Sequence, residues 1–418
     1  MPLRRLWTVL VVALAATVLT PAAAHAATIP SYLTLEASFT SAANGWAEVD
    51  RYLDATPGFT QEDFPPDGRG DQTDQRVTYF GSAEPYSGRF LLYSAPGWDS
   101  NPKATPVLLV HGANDNADRA WANPGESGGF GCGAITCPST GMMQYLSSAG
   151  YRVFAVGFAQ SEGDNLMQAQ EVGDAIAVIK AELGVSSVDL VGWSKGEMSA
   201  RMYVSSVAPS WGRPYAGDVR KLITLGGPNA GYDYPFAHGW SQDFSIWPEC
   251  GGVVNSPSPH THMTCYGDYA YHPEFSFVPT DGYDCYPGQR QMLARFDSQY
   301  GIDETQQDWY TTYYGGQGFY TDGPGIQAAI DAGSLISRIQ QAGVPASVDT
   351  YLLAGGSPTV VGIYNENRGP SDGVVFESSA LSTVGIGTVA GTKLVAGANH
   401  LELGWYPAVE SQVATWLG

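Results

Sequence analysis

Apolar and polar positions alternate on two different periods along this chain, and the changes of period mark its organisation. From residue 105 to residue 225 short apolar runs at 105–110, 151–157, 188–192 and 221–225 read as strands, the first of them free of polar interruption and so buried on both faces. Between these runs the period lengthens. Residues 142–149 predict a short helix, and over 163–183 Leu166, Ala169, Val172, Ile176, Ile179 and Leu183 recur three or four apart as one apolar stripe, which Gly184 ends. A further helix is expected from 195 to 207. Strands that alternate with helices in this way predict crossovers and a parallel sheet.

The flanks are less regular. Residues 27 to about 103 form a loop-rich extension with strand-like runs at 76–80 and 89–93, close enough together to predict antiparallel strands at a sheet edge. Between Tyr232 and Tyr320 the pattern breaks: 21 of 89 positions are aromatic, about double the 12% of the whole chain. Segments of this length inside a domain are usually lids or binding loops, so 232–320 is read as a lid-like insertion, with a separate binding module as the other reading. The α/β pattern then resumes with a helix at 326–341, strands at 347–353 and 392–396, and a last helix at about 405–417.

The run at 188–192 leads into Gly192, Trp193, Ser194, Lys195 and Gly196, which fit G-x-S-x-G, a tight strand-to-helix turn that exposes a serine hydroxyl. A hydroxyl becomes a nucleophile only when a base takes its proton and a carboxylate orients that base, and on a sheet of this kind the chain order is Ser, acid, His. His400 is the one histidine near the C-terminus, between a strand and the final helix, and is the expected base. Asp372, in a turn before an apolar run, is the preferred acid; Asp349 is its rival, and Glu366 is too far from a strand that would aim it. The oxyanion of an acyl-transfer intermediate needs two backbone N–H donors. Lys195, directly after the serine, supplies one, and the loop after His111 and Gly112 supplies the other from Ala113, with Asn114 beside it left open. His111 itself lies on the wrong side of the serine in chain order and is read as structural.

Composition narrows the setting. Arg4 and Arg5, an apolar run from Leu6 to Leu19 and the Ala24, His25, Ala26 end predict a signal peptide over 1–26 and a secreted protein, exported by the general or the twin-arginine route. No later run is long enough for a membrane span. With 41 acidic against 20 basic residues the net charge is −21, or −23 once Arg4 and Arg5 are lost, which argues against nucleic acid and anionic membranes as partners. A hydrophobic ester substrate and a monomer are expected. In an exported chain Cys132, Cys137, Cys250, Cys265 and Cys285 are disulfide partners before metal ligands, with 132–137 and 250–265 the shortest closures and other pairings open. His260, His262 and His272 lack the helical spacing of a catalytic zinc motif, so no metal and no cofactor is expected.

Taken together, His111-Gly112, the serine turn, the run from Thr224 to Gly231, the run from Ser371 to Val375 and the run from Gly397 to His400 resemble the landmarks of secreted bacterial lipases and esterases of the α/β-hydrolase superfamily. The resemblance spans about 105–231 and 347–418. It implies one α/β-hydrolase domain over 27–418, a mostly parallel sheet flanked by helices with the insertion above it. It also implies Ser194, Asp372 and His400 as triad and Ala113 with Lys195 as oxyanion hole. Lys195 stands where such lipases usually have Met or Gln, and Glu197 where a small residue is usual. The run from Pro106 to Asn116 and the segment near Cys132 are also similar to lipase-like extracellular polyhydroxyalkanoate depolymerases. A polyester depolymerase is therefore the alternative, followed by an acyltransferase and then by a binding protein that has lost catalysis.

Overall fold

The computed structural model describes residues 28–65, 68, 70–126, 131–237, 284–305, 313–317, 322–323, 325–363 and 365–418. The segment expected to be a leader (1–26), the histidines at 260, 262 and 272, Cys250, Cys265 and most of the segment read as an aromatic insertion lie outside the described residues.

Nine strands make one sheet: β1 (Leu33–Phe39), β2 (Glu48–Asp54), β3 (Arg89–Ser94), β4 (Val107–Val110), β5 (Val153–Phe158), β6 (Val188–Trp193), β7 (Val219–Leu225), β8 (Asp349–Gly355) and β9 (Val389–Val395). Their order across the sheet is β1-β2-β3-β5-β4-β6-β7-β8-β9. The first three run antiparallel to their neighbours and the remaining pairs are parallel. The exchange of β4 and β5 puts the start of the regular pattern at the middle of the sheet, where every residue of β4, β5 and β6 is buried.

Side-chain alternation along these strands builds two apolar layers. Leu108 and Val110 of β4 join Val172, Ile176 and Ile179 of α3 (Asn165–Leu183) and Met198 of α4 (Lys195–Val204) on one face. Val107 and Leu109 join Met142 and Leu146 of α2 (Met142–Ser148) and Val409, Val413 and Leu417 of the last helix, α8 (Pro407–Leu417), on the other. Gly184 closes α3 in the left-handed conformation at φ 64°, where a side chain would be strained. The mixed α/β fold and mostly parallel sheet expected from the sequence are present.

Two local expectations are corrected. The run at 76–80 is not a strand but part of helix α1 (Asp74–Phe80), ended by Gly81 at φ 77°. Its aromatic residues are β-prone, but coiling lets Tyr79 and Phe80 pack under the sheet while the buried Arg76 pairs with Asp118 and Glu126. The antiparallel edge comes instead from β1 and β2, whose half-polar sequences carry little strand signal. The helix expected at 326–341 is two helices, α6 (Gly325–Gly333) and α7 (Ile336–Ala342), separated at Ser334, whose hydroxyl bonds Leu293 O at 2.7 Å. Between α4 and α6 a short helix, α5 (Pro287–Gln291), carries the chain back toward the sheet.

Candidate active site

The C-terminal ends of the parallel strands, where ligands of open α/β sheets bind, bring the chemistry together. Gly192 ends the strand pairing opposite Val110, and Ser194 then adopts φ 54°, ψ −126°, a strained backbone for a residue with a side chain. The crowding explains the glycines of the turn: a Cβ on Gly196 would stand 2.2 Å from His111 O and one on Gly192 2.6 Å from the Glu197 Cα.

Ser194, His400 and Asp372 stand in one hydrogen-bonded line. Ser194 Oγ is 2.8 Å from His400 Nε2, and His400 Nδ1 is 2.7 Å from Asp372 Oδ2. The other Asp372 oxygen accepts the backbone N–H groups of Val374 and Val375 at 3.0 and 2.8 Å, and the His400 N–H bonds Asp372 O at 2.8 Å, so acid and imidazole are fixed to each other twice. Asn399 caps the short helical turn that carries His400, its Oδ1 accepting from Leu401 and Glu402.

The rivals stand elsewhere. Asp349 opens β8, while Gly355 at the other end of that strand is the residue packed on Asp372, a strand length of about 20 Å away. Glu366 is bonded to Arg368, which also pairs with Asp233 at 2.6 Å, and the Glu366 N–H bonds Gly373 O at 2.8 Å. That residue braces the acid loop. His111 is buried with Nδ1 2.9 Å from Gly112 O, and burial pushes its imidazole down to about 3. Such a ring stays neutral and is a packing element.

Ala113 lines the cleft above the serine, with Gly112, Trp193, Pro228, Tyr232, Tyr234, Pro235, Gln289, Met292, Ile363 and Leu401 around it. The cleft encloses about 670 Å³ including its open mouth, and most of its walls are carbon. Lys195 is the first residue of α4, so its backbone N–H is one of the helix-start donors without an intrahelical partner. Asn114 carries φ 50°, and its carbonyl accepts the Arg119 guanidinium.

Sequence reasoning missed three supports. Trp193, the variable residue of the motif, donates from Nε1 to His400 O at 3.0 Å. Gly226, at φ 57°, lies so close to the acid–base pair that a Cβ there would sit 2.9 Å from Asp372 Oδ2 and 3.2 Å from His400 Nδ1. Its place directly after a buried strand was the available signal. The third is the side chain of Lys195. It is 1% exposed and donates from Nζ to Gln168 Oε1. Burial lowers its ammonium, against the fields of Glu162, Glu62, Asp164 and Glu171.

Of the expected disulfides, Cys132–Cys137 is formed, with Cα atoms 5.9 Å apart. Among the described residues no group of His, Cys, Asp or Glu could hold a metal, and no helix is long and apolar enough to cross a membrane.

The strand order, with its central exchange, and a serine turn feeding a helix at the strand ends are those of the α/β-hydrolase fold. No family model and no curated protein sequence matches the chain. Solved structures similar to it include a lipase of Bacillus licheniformis in its mature form, 12% identical with a TM-score of 0.42 over 76% of this chain and 93% of that one. The naproxen esterase of Bacillus subtilis is 12% identical with a TM-score of 0.39, over 79% and 88%. A thermostable carboxyl esterase from Bacillus coagulans is 15% identical with a TM-score of 0.37, over 79% and 95%.

Proposed function

We propose that the protein is a secreted serine hydrolase of carboxylic esters with apolar acyl groups. The observation that carries this reading is the Ser194–His400–Asp372 line opening into a carbon-walled cleft. His400 takes the Ser194 proton as Oγ adds to the ester carbonyl, and the oxyanion is held by the backbone N–H groups of Ala113 and Lys195. Collapse expels the alcohol, protonated by His400, and leaves an acyl-Ser194. Water, deprotonated by the same imidazole, then adds to the acyl carbon and releases the acid, while Asp372 holds the ring and offsets its charge. The Cys132–Cys137 disulfide supports export, since such bonds persist in oxidising compartments.

Ser194→Ala is expected to lower kcat on p-nitrophenyl butyrate by about 10,000-fold or more. A variant that keeps full activity overturns the reading. A panel of tributyrin, triolein and polyhydroxybutyrate separates lipid esters from polyester: clearing of polymer films with triolein untouched would make the protein a depolymerase.

A further inference from the structure

The mechanism above gives Glu197 nothing to do, yet its surroundings single it out. It sits three residues past Ser194, its backbone N–H bonds Ser194 O at 3.0 Å, and it is 0% exposed. Neither carboxyl oxygen has a protein hydrogen-bond partner. Arg201, one turn further along α4, acts on it through its field and makes no hydrogen bond to it: Nη1 donates to Asn229 Oδ1 at 2.7 Å and Nη2 to Val384 O at 2.7 Å, while its Nε, like the carboxyl, has no hydrogen-bond partner among the described residues. The side chain lies flush on the turn after β7, where a Cβ on Gly227 would fall 2.5 Å from both Glu197 Cγ and Oε2. The preceding residue of that turn is Gly226, packed on Asp372 and His400, and the following one is Pro228, which lines the cleft. One side of a three-residue turn thus rests on Glu197 while its start bears on the acid–base pair.

A carboxyl without partners is stable there only while neutral, because an unanswered charge in a dry site is costly. Burial raises it to about 7, opposed by the field of Arg201. Gly192 from β6 and Gly227 from the turn meet it without a side chain, and among the described residues Arg201 is the one charged group whose field acts on it.

We propose that Glu197 is a positioning residue that works in its uncharged form, shoring up the Gly226–Pro228 turn beneath Asp372 and His400, and that its ionisation displaces that turn and slows the reaction. The proposal rests on the ester-hydrolase reading. A carboxylate formed at this position must reach water or a counter-charge, and the turn is what stands in its way.

The test compares the parent with Glu197→Gln for kcat on p-nitrophenyl butyrate between pH 6 and pH 9, with circular dichroism at each pH showing that both remain folded. The ratio of variant to parent is expected to rise about tenfold across that range, since a group near 7 is almost wholly ionised at pH 9. Glu197→Asp should keep the parental profile, and Glu197→Met serves in the same comparison if the Gln variant does not fold. A parent-minus-variant infrared spectrum should show a protonated carboxyl band that fades over the same range. A flat ratio in an active enzyme, or no such band, overturns the role of Glu197. A band that titrates in a protein with no hydrolysis at any pH overturns the ester-hydrolase reading and the positioning role with it.

Discussion

Two ionisable side chains follow Ser194 within three residues, and the fold treats them in opposite ways. Lys195 turns toward α3 and α5, where Gln168 accepts from its ammonium and four carboxylates act on it, and its stem lies on the backbone of Gly288, whose Cβ would stand 2.1 Å from Lys195 Cε. Glu197 turns toward β7 and meets a glycine turn, the field of Arg201 alone and no hydrogen-bonding partner. Both are buried, and neither stands at the mouth of the cleft. The lesson is that burial alone does not decide what an ionisable group does. A charge survives next to the nucleophile where neighbours answer it, and is suppressed where they do not.

Removing the answered charge is expected to cost most. Lys195→Met keeps the length of the stem but removes the ammonium that donates to the buried Gln168 and whose field acts on Glu162, Glu62, Asp164 and Glu171, and leaving that acceptor without its charged donor destabilises by about 3 kcal/mol. Urea unfolding at pH 7 measures it; a loss under about 1 kcal/mol would mean that the cluster is protonated with or without the lysine and that the two sides of the turn do not differ.

Removing the unanswered charge should do the reverse. The Glu197 carboxyl is raised in the folded state from 4.5 to about 7, so folding favours its protonated form. Stability from this group is full below pH 4.5 and falls as pH rises to about 7, where the loss levels off. Glu197→Gln carries no charge to suppress. It is expected to be more stable than the parent by about 3 kcal/mol at pH 8 and to lose that advantage at pH 4. Unfolding curves at the two pH values check both the size and the sign, and an advantage that is the same at both would put the effect on packing.

The chain order of Ser194, Asp372 and His400 and the parallel sheet were legible in the sequence because each rests on local signals that the fold repeats: unbroken apolar runs, a period of three to four, and a glycine-flanked serine. What decides the fate of Lys195 and Glu197 is not local. Gln168 and Gly288 lie 27 residues before Lys195 and 93 after it in sequence, and no pattern around the motif announces them. The misread run at 76–80 has the same origin, since Asp118 and Glu126, which hold Arg76, come from a segment some forty to fifty residues later. The turn at Gly226 and Gly227 could have been suspected from its place after a strand, but not its contact with Glu197.

Trp193 is the third side chain of the turn and gives the smallest and most local comparison. It precedes the nucleophile, is 3% exposed, and makes one polar contact, from Nε1 to His400 O, while its ring packs 6.0 Å from the imidazole. It is therefore answered like Lys195 by a neutral acceptor, but carries no charge of its own. Trp193→Phe keeps an aromatic ring and removes the side-chain donor to the His400 carbonyl. A hydrogen bond of this kind is worth about 1–1.5 kcal/mol, so kcat on p-nitrophenyl butyrate should fall about tenfold with little change in KM. The fall should be the same at pH 6 and pH 9, because neither the indole nor the carbonyl titrates, which sets this variant apart from Glu197→Gln. A pH-dependent loss would show that Trp193 acts through the same turn as Glu197 and not through its own bond to His400.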